Sequence, residues 1–142
     1  MFTISAPPTD AAVYEFALRW TEQLAQENYG EAFEMLCYVQ NHPGRSWVSS
    51  PEELRSWIEN YGSDTPIPGE PLYKVTKIEQ ASGERWENYL DLSPSVGRYA
   101  GYLGRLDWEL PLNGEWSDLQ ASFDLIAVDQ RVTFVLVALR VP

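Results

Sequence analysis

One histidine and one cysteine among 142 residues limit the covalent and acid–base chemistry open to this chain. Any His-dependent triad or proton relay would pass through His42, since imidazole alone titrates near neutrality without help from its surroundings. His42 precedes Pro43 in a turn-forming stretch, which predicts a solvated loop side chain. Cys37 would act as a nucleophile only beside a base or cation that lowers its pKa. It adjoins Leu36 on a predicted helix, where a buried, inert thiol is expected. A single cysteine allows neither an intrachain disulfide nor a multi-cysteine zinc site. No EF-hand loop or His-x-x-x-His spacing occurs, so no metal and no cofactor is expected. Gly97, Gly101 and Gly104 are spaced by four and three outside any predicted strand-to-helix turn, which suggests a chain bend rather than a phosphate cradle. Carboxylates are plentiful, but acid–base work by a pair needs one of them raised in pKa, and no spacing singles out such a pair.

The elements that must position these groups change character near residue 71. Thr9 or Asp10 caps a first helix, in which Val13, Phe16, Ala17, Trp20 and Leu24 form one apolar stripe that should run to about Asn28. A second helix is predicted from about Tyr29 to Tyr38, with Phe33, Leu36 and either Cys37 or Ala32 facing inward, packed on the first as a hairpin. Trp47-Val48 suits only a short strand. The third helix has the clearest start: Ser50 as cap, Pro51 at the first position, and Glu53 completing a Ser-x-x-Glu capping box. Leu54, Trp57, Ile58 and Tyr61 make its stripe and Gly62 ends it.

From Leu72 the pattern is that of strands, predicted at Tyr73 to Gln80, Arg85 to Leu92, Tyr102 to Leu110, Trp116 to Val128 and Arg131 to Val141. Leu106, Trp108 and Leu110 alternate with Arg105, Asp107 and Glu109. Asn113-Gly114 is a hairpin signal, and Leu119, Ala121, Phe123 and Leu125 alternate with Asp118, Gln120, Ser122 and Asp124 after it. Asp129-Gln130 is a second tight turn, and the last strand, apolar on both faces, should lie inside the sheet. The expected architecture is α+β: one domain over residues 1–142, three N-terminal helices on a curved, mostly antiparallel sheet of about five strands.

Charge divides at the same place. Residues 1–70 carry eleven acidic side chains against Arg19, Arg45 and Arg55, a net of −8, and the whole chain reaches −11. Such acidity opposes binding to nucleic acid and to anionic membrane surfaces. No apolar run of about 18 residues and no secretory signal pattern occurs, so a cytoplasmic protein is expected.

The element order, with Tyr14 to Leu36 opening on an amphipathic helix and passing through Asn28-Tyr29-Gly30-Glu31-Ala32-Phe33 into the second, resembles the NTF2-like fold, a cone-shaped α+β architecture. The stretch Leu110-Pro111-Leu112-Asn113-Gly114-Glu115-Trp116-Ser117-Asp118-Leu119 also resembles a segment of small bacterial proteins of presumed immunity function. The first resemblance implies either a binding module or a pocket enzyme or small-molecule binder of ketosteroid-isomerase type, in which a carboxylate base and a phenol or acid donor work inside the cone. Asp107, Asp118, Asp124, Tyr14 and Tyr102 are the groups that would supply them.

The second resemblance, the acidity and the lack of a catalytic constellation together lead to an expectation of an immunity protein that neutralises a basic toxin domain by direct contact. Its partner-binding candidates are Glu31, Glu34, Glu52, Glu53 and Glu59 on the helices, with Trp116 and Asp118 on the sheet. Trp116 falls on the polar parity of its strand, so it would line the cone, anchor a partner or stack across the hairpin on Trp108 or Leu110. A homodimer through the sheet face is the remaining partner expectation.

Overall fold

Alternation along three long strands sets the architecture, because their apolar faces need a cover that the amphipathic helices supply. The computed structural model describes residues 1–38, 48–85, 88–94 and 99–142. Its helices are α1 (Asp10–Ala25), α2 (Tyr29–Glu34) and α3 (Pro51–Glu59), and its strands are β1 (Ile4–Ser5), β2 (Tyr89–Asp91), β3 (Tyr102–Leu112), β4 (Glu115–Val128) and β5 (Arg131–Arg140). The strands form one antiparallel sheet in the order β1-β5-β4-β3-β2. It curls into a half-barrel against which the three helices pack, an α+β fold as expected. No helix among the described residues is long and apolar enough to cross a membrane.

The helix ends follow from local chemistry. Thr9 accepts the Ala12 N–H at the start of α1, and Ser50 accepts the Glu53 N–H at the start of α3. Glu53 does not complete the reciprocal half of the capping box: its carboxylate accepts the Ser49 N–H at 2.9 Å and the Ser49 hydroxyl at 2.7 Å, one residue early. Both α1 and α3 end in the left-handed region, at Glu27 and Tyr61, with the following N–H reaching back across the last turn to Gln23 and Trp57. Gly62 closes α3 as expected, and a side chain there would press on Leu119 and on the backbone at Arg140.

Three expectations need correction. The second helix ends at Glu34 rather than near Tyr38, because the chain turns at Cys37 so that its N–H reaches the Phe134 carbonyl at 2.8 Å on the edge of β5. The stretch Tyr73 to Gln80 is not a strand. It lies across the tip of the β3–β4 hairpin, bridging once at Val75 to Leu112 and ending in a 3-10 turn at Ile78–Gln80. Side chains hold it there: Asn113 Oδ1 accepts the Lys74 N–H and Thr76 Oγ1 accepts the Gly114 N–H. The predicted strand Arg85 to Leu92 shrinks to β2, part of it lying outside the described residues, as do His42, Trp47 and Gly97. The two-residue strand β1 was not foreseen; it pairs with Arg131 and Val132 of β5.

Both tight turns appear where expected. Asn113 and Gly114 have φ of 49° and 89°, Asp129 and Gln130 of 50° and 65°, and each pair joins directly opposed strand ends. The central strands are buried on both faces. Leu106, Leu119, Phe123, Phe134 and Leu136 meet the helices, while Ser122, Asp124, Ile126 and Val135 are buried on the other side, where Cys37 and Tyr99 pack.

At Gly104 the strands approach too closely for any side chain, since an added Cβ would sit 2.3 Å from the Asp91 carbonyl oxygen. Gly104→Ala is therefore expected to lower stability by about 2 kcal/mol or more by pushing β2 from β3. Denaturant unfolding together with amide exchange at Leu90 and Leu106 checks it; an equally stable variant with unchanged protection would refute the close approach.

Candidate binding surface

The interior of the curled sheet is occupied by aromatic side chains. Phe16 of α1 stacks on Phe134 at 3.7 Å between ring centres and meets Phe123 edge-on at 5.3 Å, while Trp20 meets the same ring edge-on at 5.0 Å. Trp108 Nε1 donates to Thr21 Oγ1 at 2.9 Å, and the Thr21 hydroxyl donates to the Ala17 carbonyl at 2.7 Å. Trp20, Trp108 and Phe123 are thus buried together where a cone pocket would lie.

The groups that a pocket enzyme would use are dispersed. Tyr14 packs against Trp108 on the helix side. Asp107 lies on the outer face, held by Arg105 at 2.9 Å and by the Ser122 hydroxyl at 2.7 Å. Asp124, also on that face, accepts from the Tyr99 hydroxyl at 2.5 Å, and Tyr99 packs edge-on against Tyr102. Asp118 accepts from Tyr61 at the surface. Asp124 and Asp118 are therefore each paired with a phenol, and neither pair faces the filled interior.

Cys37 is buried beside Ile126 and Val135, and burial pushes its thiol above the ordinary value, keeping it protonated and unreactive. Among the described residues no three His, Cys, Asp or Glu side chains converge on a metal-sized site.

The acidic candidates separate into two kinds. Glu31 and Glu34 on α2 and Glu52 on α3 are exposed and carry no ion pair among the described residues. Glu53 is occupied at the α3 start, and Glu59 accepts from Arg55 Nε at 2.9 Å. Arg55 also lies 5.6 Å over the Tyr29 ring, which sets the start of α2 against the end of α3. The carboxylates of Glu31, Glu34 and Glu52 therefore lie exposed on two helices that pack against each other. The outer sheet face offers less to a second copy, since Ser122, Asp124 and Val135 at its centre are already buried within the single chain.

Trp116 has a role that pattern reasoning missed. Its backbone partner is Pro111, and the Arg85 guanidinium carbon lies 4.3 Å from both the Trp116 and Trp108 rings, so the contact between the two indoles runs through a cation. Arg85 Nε and Nη2 are buried without a hydrogen-bond partner among the described residues. Burial lowers the Arg85 pKa, and the carboxylate of buried Glu109 opposes that shift. Trp116 thus packs on Arg85 while remaining partly exposed. A lone basic residue entering a segment flanked by tryptophans was the available signal, and only the tertiary contact gives it meaning.

At the far end of α3, Asp118 and Glu59 approach one aromatic cluster. Tyr61 and Tyr73 pack 4.8 Å apart, Tyr61 donates to Asp118, and Tyr73 donates to Glu70 Oε2 at 2.8 Å. Burial first, and the Asp118 carboxylate second, push the Tyr61 phenol up to about 12. The folded state favours the neutral phenol, so this contribution to stability is complete below about 10 and is lost as pH rises through about 12.

Ultraviolet phenolate titration is expected to show one of the eight tyrosines ionising near 12. In Asp118→Ala that step moves down without reaching the ordinary value, because burial persists; an unmoved step would contradict the pairing. A scan of family models, a search of curated proteins and a search of solved structures each return no match to this chain, and the chemistry of its surface is read from its own residues.

Proposed function

We propose that this chain is a small acidic cytoplasmic binding protein whose α2–α3 face docks a basic protein partner, in the manner of an immunity protein that covers a toxin domain. The observation that carries the reading is the set of exposed carboxylates of Glu31, Glu34 and Glu52, without an ion pair among the described residues, on two helices anchored to a common core. Charge of one sign concentrated on a fixed face attracts a basic partner over distance and raises its association rate, an effect that added salt screens.

The filled interior is the reason to prefer a surface function over a pocket enzyme or small-molecule binder. The helix-then-sheet order supports kinship with NTF2-like proteins, and the segment that resembles immunity proteins folds as the β3–β4 hairpin with Asn113 and Gly114 at its tip.

Affinity capture from the source organism tests this reading with the wild-type chain and a Glu31→Lys/Glu34→Lys/Glu52→Lys variant of unchanged circular dichroism. The wild type is expected to recover a basic protein in a salt-sensitive manner, and the variant about tenfold less of it. Recovery of no basic protein, or equal recovery by both chains at any salt, would count against the acidic face.

A further inference from the structure

We infer that the groove between the end of α3 and the loop over residues 64–73 is the receptor for one lysine or arginine side chain of the basic partner; this rests on the reading above and adds a specific subsite to it. The groove is lined by Glu59, Pro66, Ile67, Glu70, Leu72 and Tyr73 and is a shallow depression open to solvent. Its walls are apolar and accessible, with Leu72 59% and Ile67 42% exposed. Exposed apolar side chains next to carboxylates suit a group that is itself divided into an aliphatic stem and a cationic head.

The carboxylates are not equivalent. Glu59 already holds Arg55. Glu70 presents one oxygen to the Tyr73 hydroxyl, and its other oxygen has no partner among the described residues. Tyr73 thereby fixes the orientation of Glu70 and leaves one acceptor directed to an incoming donor. Tyr61 packs at a tilt against Tyr73, and its bond to Asp118 ties this cluster to β4. The Tyr73 N–H bonds to the Glu59 carbonyl at 3.1 Å, so the loop and the helix end form one supported wall. A lysine or arginine head would meet Glu70 while its methylenes cover Ile67 and Leu72, and the Asp118 carboxylate held by Tyr61 favours a cation over an anion.

Nuclear magnetic resonance titration with n-butylguanidinium, and with its neutral isostere n-butylurea, tests the subsite. The cation is expected to shift the Ile67 and Leu72 methyl and Tyr73 ring signals, and the urea to leave them nearly unmoved. Glu70→Gln is expected to weaken the cation by about five-fold, the scale of one exposed ion pair. Leu72→Ser, at an exposed position, weakens it without altering any charge. Equal response to both probes, or an unchanged affinity in both variants, would overturn the subsite. A short oligo-arginine peptide separates the two levels: shifts at Glu31, Glu34 and Glu52 without shifts in the groove reject the subsite alone, and shifts at neither reject the acidic face as well.

Discussion

Trp108 donates its indole N–H to Thr21 in the middle of α1, and the curl of the sheet around that helix depends on the contact. A buried indole N–H left without an acceptor costs about 1–3 kcal/mol, so the sheet cannot slide along α1 without a penalty comparable to a large fraction of a domain's stability. Thr21 in turn gives its own proton to the Ala17 carbonyl, so the donors of this pair are satisfied, whereas the buried Trp20 Nε1 has no partner among the described residues. Around it the aromatic rings have one arrangement: Phe16 between Phe123 and Phe134, Trp20 against Phe123, Tyr14 and Arg85 against the other sides of Trp108.

That packing fills the centre of the curled sheet. A half-barrel with an empty centre would invite a ligand, whereas this centre is filled by tryptophan and phenylalanine from α1, β3, β4 and β5. At the surface the helices present carboxylates without an ion pair among the described residues, and the end of α3 presents apolar walls beside an oriented glutamate. The rigidity of the interior and the accessibility of the rim have the same cause, because α1 fills the centre while the shorter α2 and α3 are left facing outward.

Much of this was legible in the residues. The stripe from Val13 to Leu24, the Ser50 cap, and the Asn113-Gly114 and Asp129-Gln130 turns are local signals, and each element formed where they predicted. The exposure of Glu31, Glu34 and Glu52 follows from helical phase. What escaped depends on contacts distant in sequence. The alternating stretch at Tyr73 to Gln80 found a hairpin tip instead of a strand partner, and strand propensity is realised only where pairing is available. Glu109 breaks the polar face of β3 by being buried, next to a register shift that no pattern announced. Trp116 gained its place from Arg85, and Glu53 and Glu59 lost their freedom to Ser49 and Arg55.

Thr21→Val, which keeps the shape and removes the acceptor, tests the central claim most directly when stability and the exchange of the Trp108 indole proton are measured together. The filled interior predicts a loss of about 1–3 kcal/mol and an indole proton that exchanges slowly in the wild type and markedly faster in the variant. An indole proton that exchanges rapidly in the wild type, with no loss of stability in Thr21→Val, would mean that water already reaches the centre of the sheet and that a pocket, not a surface, is the place to look for function.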